Sequence, residues 1–347
     1  MAKTRLGIDL GTRNSAAAFV DESGESSMVH FQESETADLK RRYGSEAKHI
    51  FPSVVAYDGY GECMHVGEIA TRFEGAFWDV KRYLGKSYEE ALKEKNALKH
   101  NYALVCGSNG EAKFKIGEKE LLPEEILSEL LKKIKIDAER HYNRLYGSEV
   151  RFDRLKITVT AYFGRNHKIA TKRAGEFAGF ENVHLIPEPV AAAIACMNAG
   201  KFDEEDRYAL VFDLGAGTLD IVIVDHRILK NASDEEIEKL KLMDITGNIE
   251  LGGDDIDSKI VDWVLDELRK DGIDVDSDYI EELLKKVEQA KIDLSKSFFA
   301  PLTLSRSSGK EHNTNKRTIR GINFRDPLIR RGAVISGKMQ NRTQQWI

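Results

Sequence analysis

Two short segments with matching residue types, about two hundred residues apart, carry most of the chemistry that this sequence suggests. The first is Leu6-Gly7-Ile8-Asp9-Leu10-Gly11-Thr12, and the second, VFDLGAGTLD, runs from Val211 to Asp220. Each follows an apolar run of strand type and leads into another, so each is predicted to form the tip of a β-hairpin. Such a tip presents backbone N–H groups and a threonine hydroxyl beside a carboxylate, which suits a phosphate. Two facing tips, each with an aspartate for a hydrated divalent cation, would make a polyphosphate clamp rather than a dinucleotide site.

The first turn alone is weak support for this interpretation. Gly11 lets the backbone approach a phosphate because it has no Cβ, Thr12 adds a hydroxyl, and Asp9 can attract Mg²⁺. An ordinary hairpin with a surface aspartate would have the same residues. The second turn repeats the arrangement with Asp213 and Thr218. The repetition favours the phosphate interpretation over two unrelated glycine turns.

Two further segments hold charged side chains beside apolar ones. Lys81 precedes Arg82 in FWDVKRYLG, and a lysine near a γ-phosphate can hold the attacking water and offset developing charge. The alternative is a pair of solvated charges on a helix. Glu188 lies between Pro187 and Pro189, which restrict its backbone, so its carboxylate is predicted to point into a cleft. The alternative is an acidic residue favoured by the dipole at a helix N-terminus.

Two motifs in the last third of the chain could contact the rest of a nucleotide. Gly252-Gly253 precede a predicted helix, so their N–H groups could reach a phosphate or a sugar. Glu288, Lys291 and Ser295 are spaced to share one helix face, where they could bond ribose hydroxyls or a purine edge. An exposed Glu–Lys pair is the usual explanation of such spacing.

The elements that must position these residues alternate between strand and helix, which predicts an α/β fold. A chain of 347 residues is longer than a single hydrophobic core usually serves, so two lobes with a cleft between them are expected. Strands are predicted near 5–9, 15–20, 54–57, 155–160, 183–186, 208–213 and 219–225. Helices are predicted at 123–146, 165–178, 189–199, 255–270 and 277–297, and a loop or short exposed helix at 226–241. After Leu304 the apolar residues follow neither the helical nor the strand periodicity.

Composition excludes some classes of function. The chain is 41% hydrophobic and 32% charged, and no apolar run approaches the roughly 20 residues of a membrane helix. The net charge of −6 gives no support to nucleic-acid binding. From Gly309 onward nine Lys and Arg face two acids, a local +7, but without helical period or interleaved aromatics this predicts a solvated, poorly ordered tail. The N-terminus lacks an apolar signal region, so a cytoplasmic location is expected.

In their order and spacing, the motifs resemble the nucleotide-binding domain of the 70-kilodalton heat-shock chaperones, the DnaK type, within the actin and sugar-kinase superfamily. The resemblance covers about residues 4–304. The chaperone branch is favoured because actin and sugar kinases share the phosphate turns but lack the Tyr162-Phe163 and Gln289-Ala290-Lys291 segments. The matching segments are 7–12, 80–85, 160–163, 188–193, 213–220, 251–255 and 288–291.

The resemblance implies an actin-like ATPase fold with two lobes around a nucleotide cleft, the second lobe being incomplete. Residues 1–207 would form the first lobe with an inserted subdomain at about 45–125, 208–304 a partial second lobe, and 305–347 a divergent basic tail. The family's domain continues to a Gly-Gly-Ser/Thr-Arg motif, a hydrophobic linker and a peptide-binding β domain. None of these is visible in the sequence, so the chain is expected to be C-terminally truncated.

The resemblance also implies residue roles. Asp9 and Asp213 would hold Mg²⁺ through water, and Lys81 with Glu188 would order the hydrolytic water. The implied catalytic residues are Lys81, Glu188, Asp220 and Thr218. The implied nucleotide-binding residues are Gly11, Thr12, Arg13, Gly215, Ala216, Gly217, Gly252, Gly253, Glu288, Lys291 and Ser295. Ala216 replaces the family's middle glycine, and a positive φ there would add strain of about 1 kcal/mol.

The sequence therefore predicts Mg²⁺-dependent binding and slow hydrolysis of ATP to ADP and phosphate, as part of a DnaK-type chaperone that assists protein folding. The expected partners are adenine nucleotide and, through other parts, unfolded-protein clients and co-chaperones; no membrane or nucleic-acid partner is expected. One alternative is a non-catalytic nucleotide-binding or interaction module, favoured by Ala216 and the missing adenosine segment. Another is a small-molecule kinase, for which the sequence offers no convincing sugar pocket.

Overall fold

Strands and helices alternate along the residues that the computed structural model describes, namely 5–201, 207–231, 244–270, 275, 277–295, 297, 300–303 and 318–322. The α/β class is thereby confirmed. The strands are β1 (Arg5–Asp9), β2 (Asn14–Val20), β3 (Ser26–Met28), β4 (Phe51–Pro52), β5 (Val55–Tyr57), β6 (Cys63–Val66), β7 (Leu104–Cys106), β8 (Ala112–Ile116), β9 (Lys119–Leu121), β10 (Arg154–Val159), β11 (Asn182–Pro187), β12 (Tyr208–Leu214), β13 (Leu219–Asp225), β14 (Asp244–Asn248), β15 (Ala300–Thr303) and β16 (Thr318–Ile322). The helices are α1 (Ala37–Tyr43), α2 (Tyr88–Leu98), α3 (Pro123–Tyr146), α4 (Arg165–Phe177), α5 (Glu188–Asn198), α6 (His226–Asn231), α7 (Gly253–Lys270) and α8 (Ser277–Leu294).

The N-terminal lobe, by which we mean the described residues up to 201, is organised around a mixed sheet of order β11-β10-β1-β2-β3, with β4 paired to β2. β1 runs parallel to β10 and antiparallel to β2. Because parallel neighbours end at the same edge, the turn after β1 lies beside the end of β10. Helix α3 covers the sheet with a buried apolar stripe that includes Ile126, Leu130 and Ile134. This arrangement fixes the place of the first phosphate turn.

The C-terminal lobe, the described residues from 208 onward, contains the antiparallel sheet β12-β13-β14. Val190 and Ala193 of α5 pack against Val222 and Val224 of β13. A separate core forms where α7 and α8 pack on each other and on β15. The second phosphate turn joins β12 to β13 and therefore lies at the edge of this sheet.

The segment between β3 and α3 holds two small antiparallel sheets, β5-β6 and β7-β8-β9, together with α2. Helix α2 begins with a capping box, in which Ser87 and Glu90 bond each other's backbone N–H groups. The inserted subdomain at about 45–125, like the other domain boundaries, stays a prediction. Its importance here is that the loop just before α2 carries Lys81 and Arg82.

Two predictions about the second half of the chain need correction or restriction. Of the stretch 226–241, the described part is helix α6, and the rest lies outside the described residues. Residues 318–322 of the predicted tail form β16, which pairs with β15, so the expected loss of regular structure after Leu304 is wrong there. Five residues are too few to give a measurable period. The rest of 305–347 lies outside the described residues, and no helix among those described is long and apolar enough to cross a membrane.

His141 on α3 makes the fold sensitive to acid. Burial lowers its pKa to about 4, and its Nδ1 accepts a hydrogen bond from the His30 N–H at 3.2 Å. The other contributors to the lowered pKa are Arg144, His30, His49 and Lys48. Because the unfolded chain takes up this proton near pH 6.5 and the folded chain does not, the free energy of unfolding should fall between about pH 6.5 and 4.

The corresponding measurement is urea unfolding at pH 7 and pH 5. His141→Gln should lose less stability than the wild type over this interval, because the variant has no proton to take up at this position. His65→Gln, on β6, is the control and should behave as the wild type. An equal fall in the wild type and His141→Gln would contradict the assignment.

Candidate functional site

The first phosphate turn is fixed by side chains from neighbouring segments. The Asp9 carboxylate at the end of β1 accepts a hydrogen bond from the Thr158 hydroxyl at 2.6 Å, and Thr158 Oγ1 accepts one from the Leu10 N–H at 3.1 Å. Ser53 Oγ donates to the Gly11 carbonyl at 2.8 Å. Thr12, at the tip, is buried. The parallel strand β10 therefore orients the carboxylate that the sequence predicts to hold magnesium.

The second turn has the hairpin geometry that the sequence predicts. Asp213 and Asp220 lie directly opposite each other in the register of β12 and β13, and the Gly215 N–H donates to the Thr218 carbonyl at 2.9 Å. Ala216 does not have a positive φ, so the condition under which its replacing a glycine would add strain is not met. This turn closes without a left-handed residue, and alanine therefore fits.

The two turns touch each other across the cleft. A Cβ on Gly217 would lie 2.9 Å from Thr12 Oγ1 and 3.0 Å from Arg82 Cδ, so this contact requires glycine. Thr12 and Thr218 line one pocket in the cleft. The full set of lining residues is Thr12, Lys81, Arg82, Lys86, Phe163, His167, Thr218 and Ile249. The structure thus brings both threonines together with Lys81.

Lys81 is a buried cation, with a relative exposure of 4%. Its Nζ donates to Glu188 Oε1 at 2.5 Å and to the Leu10 carbonyl at 2.7 Å. Arg82 is also buried and forms two bonds to Asp255, at 2.9 and 3.0 Å. The alternative of two solvated charges is therefore wrong. The lysine of the N-terminal lobe and the glutamate that begins α5 form one unit.

Carboxylates outnumber cations around this unit. Burial raises the pKa of Glu188 to about 8, with Asp213 and Asp9 adding to the rise and Lys81 opposing it. Burial, Asp9 and Asp220 raise the pKa of Asp213 to about 6. Because Asp9 contributes to the shift at Asp213, and both contribute to the shift at Glu188, the three carboxylates lie near one another.

This charge distribution fits a bound divalent cation. The charges of Asp9 and Asp213 act on the Glu188 carboxyl, that of Asp220 acts on Asp213, and Lys81 is the cation that opposes these effects. Mg²⁺ prefers carboxylate and water oxygens. Asp220 Oδ2 accepts from the Ala161 N–H at 3.1 Å, while its buried Oδ1 has no hydrogen-bond partner among the described residues. Among the residues that the structure describes, no group of three or more His, Cys, Asp or Glu side chains is arranged to hold a metal ion directly. Asp9 and Asp213 would need water to complete a magnesium shell.

Gly252 and Gly253 use their N–H groups within the protein. The Gly253 N–H donates to the Gly215 carbonyl at 3.0 Å, and the Gly252 N–H donates to Asp255 Oδ2 at 2.7 Å. A contact between these groups and a phosphate or sugar stays a prediction, and it would require one of these internal bonds to be exchanged. A Cβ on Gly252 would lie 2.2 Å from the Ala216 carbonyl oxygen, so the glycines allow the start of α7 to pack against the second turn.

The three residues predicted to contact adenosine do not form one polar patch. Lys291 is buried, and its Nζ donates to Asp257 Oδ2 at 2.6 Å and to the Gly253 carbonyl at 3.1 Å. Glu288 reaches across the cleft to Arg42 at 3.4 Å. Ser295, the residue after α8, donates to the carbonyl of Ile292 in the last turn of that helix at 2.6 Å. The spacing of Glu288 and Lys291 does not reflect an exposed ion pair, and their contact with adenosine stays a prediction.

Two residues that line the pocket, Lys86 and His167, were not predicted from the sequence. Arg13 was predicted to bind nucleotide, but the sequence did not indicate its partners: its Nε lies 2.8 Å from Asp254 Oδ1 and 3.0 Å from Asp79 Oδ1. The two aspartates after Gly252-Gly253 gave no signal of their cation partners, because the helix dipole already favours carboxylates at a helix start. Their pairing with Arg13 and Arg82 depends on how the lobes meet.

Comparison with known proteins is consistent with these motifs. A family model described as "Hsp70 protein" matches residues 5–321. The chain is also 32% identical over 272 residues to the "Chaperone protein DnaK" of Stenotrophomonas maltophilia (strain R551-3). That alignment covers 77% of this chain but 38% of the relative, so this chain corresponds to well under half of it. The family match continues past residue 304, where the motifs placed its end, and includes most of β16.

Proposed function

The chain belongs to the Hsp70 family, and from this premise we propose that it binds Mg²⁺·ATP between its two phosphate turns and hydrolyses it slowly to ADP and phosphate. Proteins of this family bind adenine nucleotide with Mg²⁺ and are ATPases. The observation that carries the proposal is that Thr12 and Thr218, from opposite lobes, line the same pocket as Lys81, whose ammonium is bonded to Glu188.

The proposed chemistry is positioning and electrostatic stabilisation. Lys81 and Glu188 hold the water that attacks the γ-phosphate, and Lys81 offsets the charge that develops on the phosphoryl oxygens. Glu188 accepts a proton from that water in its ionised form, and because its pKa is raised to about 8, the fraction in that form increases as the pH rises toward 8. Thr12 and Thr218 contact phosphate, and Asp220 lies beside the water. Asp9 and Asp213 would hold Mg²⁺ through water, and the bound ion would neutralise phosphate charge.

We further propose that this is the nucleotide-binding part of a DnaK-type chaperone that acts in the cytoplasm. The relative with which it aligns carries the name of a chaperone, and the proposal extends that role to this chain. Unfolded-protein clients and co-chaperones would act through parts that correspond to the remainder of such a relative. In this scheme residues 1–207 and 208–304 are the two lobes, and the adenosine lies near Glu288 and Lys291.

A non-catalytic nucleotide-binding module is the second candidate. One observation favours it, since Lys291 and the N–H groups of Gly252 and Gly253 are already bonded within the protein and not free for the nucleotide. The observation against it is the Lys81–Glu188 pair in the phosphate pocket, because simple binding does not require a buried acid beside a lysine.

Calorimetry with ATP, with and without Mg²⁺, tests the binding proposal. We expect the wild type to bind in a magnesium-dependent way, and Asp9→Asn and Asp213→Asn to weaken Mg²⁺·ATP binding at least about tenfold, or roughly 1.4 kcal/mol. The control is Asp266→Asn on the exposed face of α7, which should bind as the wild type. A wild type that takes up no nucleotide in the presence of Mg²⁺ would overturn the proposal.

A further inference from the structure

The side chain of Arg13 connects the two lobes at the phosphate turns themselves. Arg13 follows Thr12 in the first turn, and its Nε lies 2.8 Å from Asp254 Oδ1, a residue 241 positions along the chain in the first turn of α7. Its guanidinium carbon lies 5.5 Å from the centre of the Trp78 ring. The Asp254 carboxylate is buried, and the arginine side chain is 25% exposed. The contact is thus largely buried within the cleft and is not on its exposed edge.

Asp254 transmits this contact to the second turn. Its N–H donates to the Ala216 carbonyl at 2.8 Å, next to the bond from Gly253 to Gly215. Residue 254 therefore holds Arg13 with its side chain and the second phosphate turn with its backbone. A path of two polar contacts, Arg13 to Asp254 and Asp254 to Ala216, joins the first phosphate turn to the second.

The other partner of Arg13 belongs to its own lobe. Asp79 is fully buried, lies 3.0 Å from Arg13 Nε through Oδ1, and is 3.1 Å from His100 Nε2 through Oδ2. It holds a left-handed backbone conformation, with φ of 56°, which aspartate tolerates better than most residues. If the lobes separate, Arg13 loses Asp254 but keeps Asp79. The guanidinium is therefore never left without an anion.

Two opposing contributions to the Arg13–Asp254 contact allow it to break and re-form. Burial raises the pKa of Asp254 to about 8, with Asp79 adding to the rise and Arg13 opposing it. The attraction between Arg13 and Asp254 is thus set against the cost of removing the carboxylate from water. When the cleft opens, Asp254 regains water.

We propose that Arg13 is a positioning residue that holds the two phosphate turns together and thereby sets the rate at which bound nucleotide leaves. This inference rests on the proposed function, since it concerns release from that same site. Opening the cleft requires that Arg13 and Asp254 separate, so their bond adds to the barrier for release. Arg13 acts through Asp254 and the start of α7 rather than as a ligand of the phosphates.

The test is the dissociation rate of a fluorescent ADP analogue, with Mg²⁺, chased by excess ATP. Arg13→Gln and Asp254→Asn should each speed release at least about fivefold, and the double variant should be no faster than the faster single variant, because both changes remove one contact. Arg13→Lys keeps the charge but not the planar fork and should fall between wild type and Arg13→Gln. Association rates should change less than dissociation rates.

The matched control is Asp262→Asn, the same chemical change in the same helix. Asp262 pairs with Lys99 of the N-terminal lobe at 2.9 Å, but it is half exposed, so this change should alter release less than about twofold. Thermal melting of each variant checks that it is folded. Because Arg13→Lys makes the smallest change in charge, it keeps the test open if Arg13→Gln does not fold.

Each outcome decides between explanations. If Arg13 binds phosphate directly, Arg13→Gln will weaken nucleotide binding while Asp254→Asn leaves release unchanged, and that result overturns the inference. Additive effects of the two changes also overturn it. If the wild type binds the analogue but no variant alters its release, the inference fails and the proposed function stands. If the wild type binds no analogue, the proposed function fails, and the inference falls with it.

Discussion

Single-turnover hydrolysis of bound ATP is expected to slow at least about tenfold when Lys81 is replaced by alanine, a loss of roughly 1.4 kcal/mol or more in transition-state stabilisation. Lys81 is the cation bonded to Glu188 and to the Leu10 carbonyl at the first phosphate turn. Without it, the charge on the phosphoryl oxygens loses a buried counter-charge. The pKa of Glu188 should rise further, because the ammonium that opposes its protonation has gone.

The measurement is the rate of ADP formation from a stoichiometric complex with Mg²⁺·ATP, mixed rapidly and quenched with acid. Lys93→Ala, which removes an exposed lysine from α2, is the control and should hydrolyse ATP as the wild type does. Equal rates for Lys81→Ala and the wild type would favour the non-catalytic module. Transfer of phosphate to an added sugar would favour a kinase.

Glu94→Ala should lower the free energy of unfolding by about 3 kcal/mol, the size expected when one partner of a buried ion pair is removed. The Glu94 carboxylate is 2% exposed, forms an ion pair with Arg82 and accepts a hydrogen bond from Lys86 Nζ. Its removal leaves two buried cations side by side. We choose the low end of the range because Arg82 keeps its two bonds to Asp255.

Urea unfolding at pH 7 measures this effect. Glu89→Ala, an exposed acid in the first turn of the same helix α2, should stay within about 0.5 kcal/mol of the wild type. A loss of the same size in both variants would mean that helix α2, not the buried charge cluster, is responsible. Glu94→Gln separates charge from volume, since it keeps the shape and removes the negative charge.

The elements that local chemistry determines were predictable. Helix α3 begins at Pro123 and ends before Gly147, as the proline and glycine signals predict, and its apolar stripe faces the sheet. Both phosphate turns are hairpins because each has a Gly-containing tip between two strand-forming runs. These signals lie within a few residues of the feature that they specify, and no distant contact overrides them.

The contacts between lobes could not be predicted in the same way. The family resemblance placed Arg13 among the nucleotide-binding residues and gave no sign of its partner Asp254, which lies in the other lobe. The sequence treated Lys81 and Arg82 as a solvated pair unless other motifs argued otherwise, since burial depends on what packs above them. The roles of Gly252 and Gly253 depend likewise on the place of the second turn. Strand β16 could not be predicted from its own residues, because it forms by pairing with β15.

The contacts of Gly217 and Gly252 have a consequence for the interpretation of related sequences. Neither position has room for a methyl group, because Thr12 occupies the space beside one and the Ala216 carbonyl occupies the space beside the other. This exclusion is steric and holds whether or not a phosphoryl group is ever cleaved. A related protein that had lost ATP hydrolysis would still keep both glycines, so the two glycines indicate the fold. A lysine and a glutamate in the places of Lys81 and Glu188 indicate the reaction.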